Sequence, residues 1–527
     1  MRKYCLVLLV LLPMLMWAQG VQQIIPGDPI SEEDYEDSED LNYGMSGMVG
    51  AVNINGVTYS QVRLRPEINL GKFGFGLDID FLIDGDGNVR EGDWDDWDDY
   101  LNKVYFIRWA NRQDPFYFKV GCIPSYTLGH GLIFDQYSNT LRYPEEKNVG
   151  GYLGINTPFS KAGFEVYTHN IYKNEVIAAR AHVNPFHYAH FPFLENLIFG
   201  VNIGMDRNQY GKYTDSDKDG VPDAYDKFPD DPYSWLDTDG DGMPDNLDFD
   251  IAGTGLIDHP SINPWVAENY PNIADGADST RFNMVVVQDS VLIYDSWKDI
   301  SVYSADYTLP LVETQFFHLD HYGEYAIIDK YGTGIIFPGF SSKFFIFDAK
   351  LEMRNFSDEF LPGYFDRLYE EKRSTVSITT ADGRTIYGLT TKEDLLKTAS
   401  RSVGWFGYLR ANILDIGYIK AAYQDMYGTD MNTGKSLWAS ATVHPAVFPK
   451  LKEASLSYSQ VHAPYIDFRN LRCSNATVSG KVVYNLSGNT DLVGRYSEIY
   501  TDANGDGKIR GENEVITAFA FGVDFSF

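Results

Sequence analysis

Three scarcities frame the sequence. Of its three cysteines, Cys5 sits in an apolar N-terminal run, and Cys122 and Cys473 are far apart. Two cysteines are no disulfide framework for so long a chain; each reads as a small apolar strand residue, and whether they pair stays open. Beyond the N-terminus no run of 18 apolar residues occurs, which excludes a membrane-spanning helix and leaves a β-barrel as the route into a bilayer. Basic residues are few: Lys and Arg total 43 against 74 Asp and Glu, for a net charge of −31. Such a chain is no partner for nucleic acid. GxSxG, HExxH, Walker and CxxC patterns are missing as well. His130, His318 and His321, even with Asp135, read as structural, so no catalytic residue is assigned and no enzyme is expected.

What is present begins with Arg2 and Lys3, an apolar run from Cys5 to Trp17, and Ala18-Gln19-Gly20. This is the layout of a signal peptide, residues 1–18, and the run is shorter than the roughly 20 residues a spanning helix needs. Residues 19–43 form an acidic leader with little to bury, either a disordered periplasmic segment or a lumen occupant. Tyr and Phe number 37 and 33, an excess that suits the interfacial girdles of a membrane barrel, though a Tyr-rich sandwich shares it.

From about residue 44 onward, segments of about ten residues alternate with period two between turn residues. In the last, Phe519, Phe521, Val523, Phe525 and Phe527 share one face, and Ala518, Ala520, Gly522, Asp524 and Ser526 the other. Tyr105, Ile107 and Trp109 oppose Arg108 in the same way, and Ala179, Ala181 and Val183 oppose Arg180 and His182. A soluble antiparallel sheet has identical alternation; the signal layout, the strand number and the terminal aromatic favour the membrane. Residues 519–527 resemble the C-terminal assembly signal of bacterial outer-membrane proteins, which implies recognition by the barrel-assembly machinery. The Ala18-Gln19 junction resembles export signals of the Bacteroidetes.

Nineteen candidate strands are counted. In a barrel the long loops fall on the outer side. Counting forward places 84–101, 123–148 and 207–301 there, and counting back places 356–403, 426–434, 463–472 and 501–513 there. The two counts disagree by one strand between 302 and 355, which locates the miscount. The expected fold is all-β: a transmembrane antiparallel β-barrel of about 18 strands, alternatively 16. Residues 44–206 form its first half and 302–527 its second, ending in strand 514–527, with 207–301 as a long extracellular insert.

The insert contains an internal repeat. Asp215, Asp217, Asp219, Gly220, Pro222, Asp223 and Asp226 recur as Asp237, Asp239, Asp241, Gly242, Pro244, Asp245 and Asp248. Carboxylates at alternate positions converge on a hard cation when the loop curls, the Gly permits the turn, and later acids complete a shell of roughly six to eight oxygens. An acidic solvated linker is the alternative, but it requires neither Gly nor Pro in register. Residues 215–250 resemble thrombospondin type 3 repeats, which implies calcium binding by those ten aspartates. A third copy, Asp250 to Asp258, keeps Gly255 but has Ala252 and Thr254 in place of acids, and is degenerate.

Asp502, Asn504, Asp506 and Gly507 follow the first half of an EF-hand loop, with Asn513 in place of the closing Glu; an ordinary turn is the alternative. The acids from Asp84 to Asp99 fit no ligand template well and read as a charged outer loop. The segment Tyr126 to Tyr143 is long enough to fold into the pore, as a constriction or contact surface, or to remain an outer loop. Together these residues lead to a porin-like outer-membrane channel for a small solute, with calcium-ordered outer loops. The alternative is a calcium-dependent surface binding or adhesion protein that the barrel anchors in outer-membrane lipid.

Overall fold

The computed structural model describes residues 42–526 apart from short stretches, the longest being 141–147, 271–280, 292–297, 501–508 and 510–514. The signal, the leader up to residue 41, the Asp502, Asn504 and Asp506 loop and Phe527 lie outside the described residues, as do the phenylalanine side chains of the last strand; residues 42 and 43 of the leader belong to the first strand.

Two compact units are present. One comprises the described residues of 42–205, 301–369 and 396–526, and the other those of 206–300 and 370–395. The insertion read as 207–301 is therefore one of two segments of the second unit.

The first unit is built on one antiparallel sheet of 20 strand positions. Phe73–Leu77 and Ile79–Ile83 occupy one position, interrupted at Asp78, and both pair with Val57–Leu70. Neighbours in sequence pair throughout the second half, and the last strand, Val515–Ser526, also pairs the first, Asn42–Ile54, from Ser46↔Ser526 to Val49↔Val523.

The nineteen candidate strands become 20 through the strand Thr333–Phe344, inside the stretch where the two counts disagree. Pro338 at its centre reads as a strand breaker because it donates no ladder hydrogen bond. In the structure the register shifts between Ile336 and Gly339 on one neighbour and between Tyr322 and Glu324 on the other, so Pro338 falls at a break in the ladder. With that strand restored, 84–103, 122–149, 207–299, 357–401, 464–475 and 501–514 all connect strands at the same end.

The sheet is inside out relative to a soluble protein. Val201, Leu351, Ile419 and Leu456 are 60%, 53%, 50% and 60% exposed, whereas Asn202, Glu352 and Lys420, their strand neighbours, are 5% or less. Buried charges are costly unless paired, and a belt of exposed aliphatic side chains this wide is unfavourable in water. Lipid outside and a polar interior satisfy both. The first unit has the surface of a membrane-embedded β-barrel.

Candidate functional site

Both copies of the Asp repeat in the second unit fold into the same turn. Asp215 accepts the backbone N–H groups of Lys218 and Gly220 at 2.8 and 3.2 Å, and Asp237 those of Gly240 and Gly242 at 2.7 and 3.0 Å. Gly220 and Gly242 have φ of +94° and +89°, a region that disfavours any side chain. Asp223 accepts from the backbone and hydroxyl of Ser216, both at 2.8 Å, and Asp245 from those of Thr238 at 2.8 and 2.7 Å. These two acids close the turns.

Asp217, Asp219, Asp239 and Asp241 each use Oδ1 to accept the N–H two residues on, leaving Oδ2 for other partners. One carboxylate oxygen from each of Asp215, Asp217 and Asp219 lies within 4.8 Å of the others, and the same holds for Asp237, Asp239 and Asp241. Asp226 Oδ1 accepts from Phe228 N at 2.7 Å and Asp248 Oδ1 from Asp250 N at 2.9 Å. Oδ2 of Asp217, Asp219 and Asp226 is buried without a hydrogen-bond partner among the described residues.

Desolvation, reinforced by the neighbouring carboxylates, pushes Asp219, Asp239 and Asp248 above the ordinary carboxylate range. Burial, with Asp219, Asp217 and Asp223 adding repulsion, pushes Asp226 up to about 6. Convergent, desolvated, uncompensated oxygens are the donor set of a hard divalent cation.

The third copy keeps the turn and lacks the cluster. Asp250 accepts from Thr254 N and Oγ1, both at 2.9 Å, and from Gly255 N at 2.6 Å. Asp258, fully buried, accepts from Ile251 N, Asn263 Nδ2 and Asn283 Nδ2 at 3.1, 3.0 and 2.8 Å. Protein donors satisfy both acids. Asp84 is likewise closed on itself: Asn88 N, Asn88 Nδ2 and Asp86 N donate to it and hold its carboxyl below the ordinary range.

In the first unit, Tyr126–Leu128 pairs with Phe134–Tyr137, and the latter pairs in parallel with Phe365–Asp366. Leu128, Ile133, Phe134 and Tyr137 are fully buried, with the Phe134 ring stacked on Phe365 at 4.3 Å. The wall they meet is the polar face of the sheet. Glu324 accepts the N–H groups of His130 and Leu132 at 2.9 and 3.2 Å, and the Ser304 hydroxyl at 2.7 Å. Asn202 donates to Ser304 and to Asp306, both at 2.8 Å, and Asp306 is ion-paired with Arg180.

A Cβ on Gly204 would overlap the Phe134 ring, so the wall is hollowed where the segment enters. Because Phe199 and Val201 on that strand are exposed on the reverse face, the segment lies against the polar face of the sheet.

On this segment Asp135 is exposed, yet the crowding protein raises its carboxyl to about 6, against the opposing pull of Arg354 and Lys350. Each of the three histidines has a protein partner. His130 Nε2 lies 3.2 Å from Tyr307 O and from Thr308 Oγ1, His321 bonds the Tyr307 hydroxyl, and His318 pairs with Asp320. Sequence reasoning assigned no role to Glu324, Asp306 or Asn202; their one signal is a polar residue at an inward position of an alternating strand.

No family model and no curated protein matches this chain. Three solved structures are similar to it at low identity. The siderophore receptor PirA from Acinetobacter baumannii is 10% identical at a TM-score of 0.36, over 92% of this chain and 80% of that one. The copper transporter OprC is 10% identical at 0.35, over 93% and 81%. Wzi, an outer-membrane protein involved in group 1 capsule assembly in Escherichia coli and a carbohydrate-binding β-barrel, is 8% identical at 0.32, over 92% and 84%.

Proposed function

We propose that this chain is a porin-like channel of the outer membrane, narrowed from within by the segment Tyr126–Tyr137, with calcium held in the repeats of its second unit. The observation that carries the channel reading is the polar inner face combined with an exposed acid, Asp135, on the segment that enters it. A sheet that served only as an anchor requires no charged, solvent-reached surface on its inner side. The occupant of the passage is a small polar solute, chosen by size and by the charges of Asp135, Arg354 and Lys350.

Calcium follows from the donor set: all-oxygen, carboxylate-rich and flexible, as Ca²⁺ takes and as thiolate- or imidazole-preferring metals do not. Asp215, Asp217, Asp219 and Asp226 would hold one ion, and Asp237, Asp239, Asp241 and Asp248 the other. Asp223 and Asp245 hold the turns in shape. The ions offset the mutual repulsion of these acids and order the loop.

Planar-bilayer recording of the purified chain tests the channel. Discrete conductance steps are expected; a sealed membrane at high protein load overturns the channel and leaves the second reading, a surface-binding protein in which the compact second unit meets an external partner. Limited proteolysis with and without a chelator tests the metal: cleavage within 207–300 is expected to accelerate on chelation, and an unchanged pattern removes calcium from that unit.

A further inference from the structure

The two acid clusters differ in how far the protein surrounds them. In the first, Asp226 is 7% exposed and three oxygens, Oδ2 of Asp217, Asp219 and Asp226, are buried without a donor among the described residues. The electrostatic neighbours of Asp226 are Asp219, Asp217 and Asp223. In the second, the counterpart Asp248 is buried as well, at 2%, but no such oxygen occurs among the described residues, and Asp239 and Asp241 are exposed where Asp217 and Asp219 are half-buried.

The apolar positions of the repeat differ in the same sense. Val221 is fully buried, and its counterpart Met243 is 37% exposed. Tyr225 packs its ring on Tyr213 and on Tyr387 of the strand Arg384–Thr391, whereas its counterpart Leu247 is 47% exposed. The first copy therefore sits where the two chain segments of the unit meet, with Lys212 bridging to Glu371 at 3.0 Å beside it.

We infer that the two repeats are unequal cation sites: the first holds its ion as an internal part of the fold, the second holds one at the surface, and the third turn holds none. This rests on the calcium reading given above. Buried acids without donors disfavour the folded state until a cation neutralises them, so binding at the first copy is coupled to closure of the unit around it. At the second copy water already solvates Asp239 and Asp241, and an ion gains less by replacing it. In the third copy Ala252 supplies no oxygen and Thr254 donates to Asp250.

The test is a calorimetric titration with calcium of the full chain in detergent micelles, after removal of divalent ions with a chelator. Two classes of site at least about tenfold apart in affinity are expected. Asp226→Asn should remove the tight class. Asp239→Asn should leave the tight class in place and weaken the other. Protection of 206–300 from protease should be complete once the tight class is filled. A single class in the wild type, or loss of the tight class in Asp239→Asn, overturns the ranking. Should Asp226→Asn fail to fold, Asp217→Asn, whose side chain is less buried, is read by terbium luminescence; retention of the tight class there overturns the ranking too. A flat wild-type titration is a different result, because it removes the calcium reading itself.

Discussion

The carboxylate of Glu324 accepts the backbone N–H of His130 at 2.9 Å, and so ties a segment 194 positions earlier in sequence to the wall of the sheet. The same carboxylate holds Leu132 N and the Ser304 hydroxyl. Glu324→Ala leaves three donors without an acceptor, at a cost of about 1–3 kcal/mol for each that stays buried. The Tyr126–Tyr137 segment is therefore expected to leave the wall before the sheet itself is affected. Single-channel conductance should rise in this variant while the heat-modifiable gel mobility typical of folded barrels is kept. Unchanged conductance with an intact barrel would mean that the segment is not the narrow point.

Gly204 and Phe134 give an independent handle on the same contact. A methyl group at 204 overlaps the ring, so Gly204→Ala should destabilise the chain by about 1–3 kcal/mol through overpacking. Phe134→Ala alone also destabilises, by leaving a cavity beside Phe365. In the double variant the two losses should add to less than their sum, because the cavity accepts the methyl group. Urea unfolding of the four proteins in micelles measures the coupling, and strict additivity would contradict the contact.

Asp135 sets a pH dependence. Its carboxyl titrates at about 6 in the folded protein, above the usual carboxylate value near 3.9. Between those values the folded chain holds a proton that the unfolded chain releases, so this group adds stability at low pH and that stability is lost as pH rises through 6. Because Asp135 is exposed, the effect on stability is small, and its charge is the more sensitive readout. Reversal potentials in a salt gradient should show cation preference falling as the pH is lowered from 7 to 5, and Asp135→Asn should abolish that change.

The features legible in the sequence are those encoded over short distances. Each repeat places its acids within twelve residues, and the spacing of Asp and Gly alone is enough to place Asp215, Asp217 and Asp219 in one cluster. Strand alternation is equally local, and it failed at Thr333–Phe344 because Pro338 imitates a strand end. What is encoded at long range was not legible. Arg180, Asn202, Asp306 and Glu324 come from four strands, and their network exists only once the sheet has formed. Residues 370–395 join the second unit through contacts such as the Thr385 N–H donated to Asp289 at 2.6 Å, for which composition carries no signal.

The third turn supplies the sharpest test of how these loops select a cation. Its backbone nearly copies the other two: Asp250 accepts from the residue five positions on, as Asp215 and Asp237 do, and from the fourth in place of the third, and Asp258 accepts from Ile251 seven positions back, as Asp223 and Asp245 do from Ser216 and Thr238. The acids at 252 and 254 are missing, and Ser261 stands at the position that Asp226 and Asp248 hold in the other copies. If side-chain oxygens at those two positions decide whether the turn binds, Ala252→Asp with Thr254→Asp should create a further calcium class in calorimetry. In the absence of calcium the same variant should be less stable than the parent, since two more carboxylates then repel Asp250 with the Thr254 donor gone. Calcium should reverse that loss by mass action, as expected for a ligand that binds only the folded form. A variant that loses stability and gains no calcium class would show that the turn's surroundings, and not its acids alone, determine binding.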